Sequence, residues 1–167
     1  RVGDLPFASD HRVVDRVVTV DEASIALAIL RLIELEKSVV EGAGATPLAA
    51  FIAGKLRHLE GRTVVLTLCG GNIDTNMLGR VLDIGLVADG RLSRFTVSVL
   101  DRPGGLARLT SVIAATGASI HELAHDRAFS GPNVAEVRVI CVVETTGADH
   151  VRQLHDALRD AGFPIVG

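Results

Sequence analysis

The hydrophobic pattern of this chain changes its period partway along, and that change restricts the fold more than any other feature. Residues 63–68, TVVLTL, are apolar or β-branched with no polar alternation, the pattern of a strand covered on both faces in a parallel sheet. Residues 92–100, LSRFTVSVL, alternate instead. Phe95, Val97 and Val99 point one way and Thr96 and Ser98 the other, as in a strand with one face on a core and one toward water. The two patterns belong to different sheets, so two folding units are expected. The helical pattern between them breaks at Ala88-Asp89-Gly90, which sets the expected domains at 1–88 and 91–167.

At 167 residues the chain has room for two small domains. Hydrophobic residues make up 48% and charged ones 22%, which suits packed cores rather than disorder. A net charge of -3 and a pI of about 6.1 lack the basic footprint that neutralises phosphates, so nucleic acid is excluded as a partner. The mean hydropathy of +0.38 comes from Val, Leu, Ala and Ile spread through periodic segments. No stretch reaches the roughly 20 apolar residues of a membrane span, and no membrane role is expected. Cys69 and Cys141 have no metal-ligand spacing, and each closes or sits within an apolar run. Buried free thiols in a reducing cytoplasm are expected. The chain opens on Arg1, as expected of a piece of something longer.

The first half reads as alternating helices and short strands. Thr19 and Glu22 have the Thr-x-x-Glu spacing of a capping box, and Ile25, Leu27, Ile29, Leu30, Ile33 and Leu35 then make a helix apolar around most of its girth. An extended step at Val39 and Val40 leads into EGAGA at 41–45, and Pro47 is expected to open a helix reaching about residue 59. The strand at 63–68, the CGGN turn at 69–72 and a helix over about 74–86 complete an α/β layer.

The second half has a different order. A turn at 101–105 leads into a helix over 106–116, stopped by Gly117. Strands follow at 119–129 and 134–145 around a Ser-Gly-Pro-Asn turn at 130–133. A helix at 148–161, with Val151, Leu154 and Leu158 inward, and a last short strand at 163–166 make β-α-β-β-α-β, the α+β ferredoxin-like arrangement. Strict alternation on the second strand would put His121, Leu123, His125 and Arg127 on one face and Glu122, Ala124 and Asp126 on the other. The first set mixes a leucine and an arginine with two histidines, so no metal site is expected. His150 and His155 read as part of the solvated side of the last helix.

Two turns have chemistry to offer. At the carboxyl end of a central parallel strand, the glycine pair after Cys69 lets a flat or charged ligand approach the backbone, and the next helix start adds N–H donors. Plain packing explains the same residues, and neither the P-loop lysine nor G-x-G-x-x-G spacing is present. At 101–106, Gly104 and Gly105 expose donors at a helix start where an α-carboxylate is welcome, and Asp101 is placed to meet an ammonium. A turn that only helps modules pair accounts for that stretch equally.

The stretch TVDEASIALAILRLIELEKSVVEGAGATPLAAFIAGKL, followed by GRTVVLTLCGGNID, resembles the end of the catalytic domain of pyridoxal-phosphate-dependent threonine dehydratases, relatives of serine racemase and serine dehydratase. The resemblance runs through about residue 86. It implies the C-terminal part of a parallel-sheet domain in which Cys69 hydrogen-bonds the cofactor's pyridine nitrogen. Gly70, Gly71 and Asn72 would then shape the adjoining turn, with Glu41 near the ring. That family holds pyridoxal 5'-phosphate as a Schiff base on a lysine in a Ser-Phe-Lys-type motif and grips its phosphate with a glycine-rich loop. Neither motif occurs in this sequence. Lys37 and Lys55, the only lysines, read as solvent-facing helix residues. No catalytic residue is therefore assigned, and this chain alone is expected to be inactive.

The stretch RFTVSVLDRPGGLARLTSVIAATGASIHELAHDRAF resembles an ACT domain over about residues 92–166, its most specific mark being the Asp-Arg-Pro-Gly-Gly-Leu turn. That resemblance implies an amino-acid effector at Asp101, Arg102, Pro103, Gly104, Gly105 and Leu106, and a homo-oligomer formed through ACT domains. Together the two resemblances imply a cytoplasmic threonine or serine ammonia-lyase of isoleucine biosynthesis, converting L-threonine to 2-oxobutanoate and ammonia under amino-acid control. The rival expectation is a stand-alone ACT module that binds amino acids or dimerises without catalysis.

Overall fold

The structure, a computed structural model, describes residues 3–126 and 135–166. The chain divides into two units, 1–74 and 75–167. In the first, helix α1 (Asp4–Val13) precedes α2 (Glu22–Arg31), which widens into a π turn at Leu32–Glu36 and stops at Lys37 in the left-handed region, φ 54°. Helix α3 (Gly42–Ile52) and a 3-10 turn at Arg57–Leu59 follow. Helices α2 and α3 pack against each other. Ala26, Ala28, Ile29 and Leu30 on one and Ala45, Ala49 and Ala50 on the other are buried, the alanines of α3 leaving room for Ile29 and Leu30 between the helices.

Three local expectations change in this unit. The cap of α2 is Asp21, whose carboxylate accepts the Ser24 N–H at 2.7 Å. Asp21 sits immediately before the helix, where its carboxylate reaches the N–H of the third helical residue, whereas Thr19 lies three residues before it. Helix α3 starts at Gly42, so Pro47 lies inside it and the helix ends at Ile52 instead of continuing to 59. The ring of Pro47 has no N–H to donate to the Ala43 carbonyl one turn back, and beside it the Thr46 hydroxyl donates to the Gly42 carbonyl at 2.9 Å.

The third change concerns residues 63–68, which join no sheet; Val65 is 87% exposed. A strand exists through bonds to lateral partners, and no other strand lies among the described residues of this unit. The same lack of cover leaves Cys69, expected buried, exposed.

Helix α4 (Thr75–Ala88) clusters with the second unit. There β1 (Leu92–Leu100), α5 (Gly105–Ala115), β2 (Ser119–Asp126), β3 (Glu136–Glu144) and α6 (Ala148–Asp160) follow in order. The sheet is antiparallel with strand order β1-β3-β2. The last segment adds to the far side of β1 through a Val97–Ile165 bridge, with the Val166 N–H donating to the Thr96 carbonyl at 2.8 Å. Phe95, Val97 and Val99 of β1 meet Val137, Val139, Cys141 and Val143 of β3 in one core with Leu109 and Ile113 of α5 and Leu154 and Leu158 of α6. Arg127, the expected strand end at 127–129 and the turn at 130–133 lie outside the described residues.

Strict alternation fails on β2. A bulge between Ile120 and Glu122 lets Ile120 and Leu123, three apart, both pack on the core, and His121 falls in the bulge. Among the described residues no group of three or more His, Cys, Asp or Glu is placed to hold a metal.

The histidines of α6 also depart from expectation. His150 is buried: its Nδ1 accepts the Thr146 N–H at 3.1 Å and its Nε2–H donates to the Thr116 carbonyl at 2.9 Å. The orphan carbonyl at the end of α5 draws the ring inward, joining two helix ends. His155 stands edge-on to Phe95, ring centroids 5.3 Å apart. Burial, helped by Arg159 and opposed by Asp156, pushes its pKa down. Among the described residues no helix is long and apolar enough to cross a membrane.

Candidate cofactor wall and effector pocket

In the first unit, the run 63–68 ends against the start of α3. The Glu41 N–H donates to the Gly70 carbonyl at 2.8 Å. Gly70 is left-handed, φ +78°, and a Cβ there would lie 2.3 Å from Glu41 Oε1. A Cβ on Gly44 would lie 1.7 Å from the Cys69 carbonyl oxygen. Glycine is required at 44 because a Cβ would meet backbone of the other segment, and at 70 because its left-handed conformation strains any other residue, whereas the Glu41 side chain facing it can swing aside. The Glu41 side chain makes no capping bond to α3 although its residue is the N-cap, which leaves the carboxylate beside the turn.

Four of the residues read from the sequence thus meet at one place: Glu41, Cys69, Gly70 and Gly71, the last with its Cβ position 3.5 Å from the Val39 carbonyl. Asn72 follows on the same turn, exposed like Cys69. The chemistry of the set fits one edge of a heteroaromatic ring. A neutral thiol can donate or accept a weak hydrogen bond at a ring nitrogen, and side-chain-free backbone admits a flat group. No amine completes it: Lys37 Nζ donates to the Glu34 carbonyl at 2.6 Å, and Lys55 is exposed.

In the second unit, the turn between β1 and α5 borders a cavity of about 570 Å³. Asp101, Arg102, Pro103, Gly104 and Leu106 line it from the turn, above a floor of Val99, Val137 and Val139. Gly105 lines a neighbouring cavity of about 550 Å³ on the other side of the same turn. Gly104 is left-handed, φ 89°, and caps α5 with no side chain. A Cβ on Gly105 would lie 2.6 Å from the Leu100 carbonyl. The Gly105 N–H, expected to be exposed, donates instead to the Arg102 carbonyl at 3.1 Å, closing the turn, so an anion at the positive end of the helix dipole would meet the N–H groups that follow it.

One lining residue was missed in the sequence as a pocket residue. His125 of β2 borders the cavity with Asp101. It lies opposite Val139 in the register, in the row that faces the helices. Its position two residues after core-facing Leu123 was the available signal, but the place of β2 beside the turn is set by strand order.

Residues 1–70 match the family of pyridoxal-phosphate dependent enzymes and residues 93–160 match the ACT domain. The two matches follow one another along the chain, with residues 71–92 between them. Over nearly its full length it is similar to the L-threonine ammonia-lyase of Geobacter sulfurreducens, 41% identical over 164 residues covering 98% of this chain and 40% of that protein. The L-threonine ammonia-lyase of Thermotoga maritima is 37% identical over 163 residues, with the same coverage of 98% and 40%. The biosynthetic L-threonine dehydratase of Halalkalibacterium halodurans is 33% identical over 106 residues, 64% of this chain and 25% of that protein. The chain thus spans about 40% of the length of its two full-coverage relatives.

Proposed function

We propose that this chain is part of a pyridoxal-phosphate-dependent threonine or serine ammonia-lyase that converts L-threonine to 2-oxobutanoate and ammonia. The observation that carries the proposal is the unbroken similarity, 41% over 164 residues, through both family segments to a protein named for that activity. When bound, pyridoxal phosphate supplies the electron sink needed to expel a β-hydroxyl. This chain's contribution is positional. The Cys69 thiol would meet the ring nitrogen, Gly70 and Gly71 would let the ring approach, Asn72 would shape the turn, and Glu41 would stand beside it. With no amine at the turn to serve as covalent nucleophile, the chain by itself turns over nothing.

The functional division falls at 89–90, with 1–88 serving the catalytic domain and 91–167 the regulatory one. An amino-acid effector fits the pocket by its chemistry: ammonium to the Asp101 carboxylate, α-carboxylate to the start of α5, and side chain onto Val99, Val137 and Val139. The ACT domain also pairs protomers, and the two unpaired thiols suit work in the cytoplasm.

Absorbance and turnover of the longer protein test the site. Cys69→Ala should retain the visible cofactor band while turnover falls, and unchanged turnover would remove Cys69 from the ring. Calorimetry of the present chain with isoleucine, valine, threonine and serine tests the pocket. Heat from one of them supports sensing, whereas silence from all four leaves the turn a device for assembly alone.

A further inference from the structure

The second unit holds four histidines, His121, His125, His150 and His155, and three of them have partners within the fold. His150 joins the ends of α5 and α6, its ring bonded to Thr146 and Thr116. His155 stands against Phe95, and His121 lies 3.5 Å from the Glu144 carboxylate. His125 makes no side-chain hydrogen bond or ion pair among the described residues. It is exposed, and it borders the cavity that Asp101 also lines.

The register fixes what surrounds this imidazole. Val97, Val139 and His125 lie in one row across β1, β3 and β2, on the face that carries α5 and α6. Val99 and Val137 pair in the next row, nearer the turn. All four valines are buried, so in these rows the wall is aliphatic across β1 and β3 and becomes polar at β2. Opposite residues on neighbouring antiparallel strands have Cβ atoms about 5 Å apart. One branched carbon seated over Val139 and His125 can therefore set a methyl on the valine and a polar substituent on the imidazole.

We propose that His125 selects a β-hydroxy amino acid, threonine foremost, as the effector of this pocket. The inference rests on the proposal that Asp101 takes the ammonium and the start of α5 the carboxylate, and it names the class of side chain that lies between them. With both ends of the amino acid engaged, the substituents on its β-carbon meet the wall. Threonine brings a methyl for the valines and a hydroxyl for His125, and an imidazole nitrogen bonds a hydroxyl in either tautomer, as donor or as acceptor. Valine has the same shape with a methyl in place of the hydroxyl. It displaces water from the imidazole and returns no hydrogen bond. One neutral hydrogen bond at so open a position corresponds to a discrimination of roughly three- to tenfold. That is far below the roughly 10,000-fold of a fully buried polar pocket. On the lyase proposal threonine is also the substrate, so the second unit would report the supply of what the catalytic domain consumes.

Titration calorimetry of the full chain with L-threonine, L-valine and L-isoleucine tests this. Wild type should bind threonine roughly three- to tenfold more tightly than valine. His125→Phe keeps a flat ring without its nitrogens, and should lower threonine to the affinity of valine while leaving valine unchanged. His125→Gln retains a donor and an acceptor and should restore a preference for threonine. Circular dichroism checks that both variants fold, as substitutions of an exposed residue should. Three results would overturn the assignment of His125 and leave the effector pocket standing. These are wild type binding valine or isoleucine at least as tightly as threonine, a threonine preference that survives in His125→Phe, and a loss shared equally by all three amino acids. Heat from none of the three would overturn the assignment together with the effector reading beneath it. Failure of the lyase proposal reads out elsewhere, as absent turnover in the longer protein, and leaves these affinities unchanged.

Discussion

Replacing Gly44 by alanine sets two effects of opposite sign against each other at the proposed cofactor wall. Gly44 lies in helix α3, and helix propensity alone favours alanine over glycine by about 1 kcal/mol. Packing opposes it. The new Cβ would stand 1.7 Å from the Cys69 carbonyl oxygen, 2.8 Å from the carbon bearing it and 2.6 Å from Val40 Cγ1, where ordinary contact begins at 3.4 Å. Two of those three atoms are backbone, so a rotamer change cannot relieve the clash, and the Cys69-Gly70 segment must retreat. Retreat breaks the Glu41–Gly70 bond of 2.8 Å, worth about 1 kcal/mol, and overpacking adds strain of about 1–3 kcal/mol. Subtracting the propensity gain leaves a net destabilisation of about 1–3 kcal/mol, a shift of the opening equilibrium of roughly 5- to 160-fold. Amide hydrogen exchange at Glu41 reads this directly, and urea unfolding of the first unit gives the total. Ala43→Gly, at the exposed neighbouring position, serves as the control and should lose only helix propensity. A Gly44→Ala chain at least as stable as wild type, with protection at Glu41 unchanged, would refute the close approach and with it the assembled wall.

The cap of α2 offers a second test. Asp21→Ala should speed exchange of the Ser24 amide, whereas Thr19→Ala should not, because the bond runs from Ser24 to Asp21. The bond to Ser24 holds the Asp21 carboxyl below its ordinary value of 3.8. Its stabilising effect is therefore present above that pH and lost as acid protonates the folded form. The thiols should also separate by reactivity: at pH 8 an alkylating reagent should modify exposed Cys69 in the native chain and reach buried Cys141 only in denaturant. Burial raises the Cys141 thiol from 9.0 to about 11. The folded chain then keeps a proton that the unfolded chain releases, so stability of the second unit should fall as pH climbs from about 9 to about 11. A flat alkaline limb of the urea midpoint would contradict that placement.

Much of the second unit could be read along the chain. The alternation of 92–100 coincides with the observed β1, Leu92–Leu100, and the glycine turn leads into α5 at Gly105. A period of two states which side of a strand is buried, and the core confirms it at Phe95, Val97 and Val99. The first unit was less legible for the same reason. TVVLTL reports a segment suited to cover on both faces, but suitability is not pairing, and this unit supplies no lateral strand. Polar residues were the hardest. His150 finds its acceptor at Thr116 and His155 its ring contact at Phe95, partners remote in sequence, so helical spacing alone made both look solvated.

Local chemistry along the chain sufficed to mark two turns, CGGN and DRPGG, and the change of grammar between them, because backbone freedom and hydrophobic period are properties of neighbouring residues. Tertiary contact decided the rest: that Glu41 stands against Gly70, and that His125 borders the pocket of Asp101. Such distances depend on which elements pack together, and burial energy selects that packing over the whole unit instead of residue by residue.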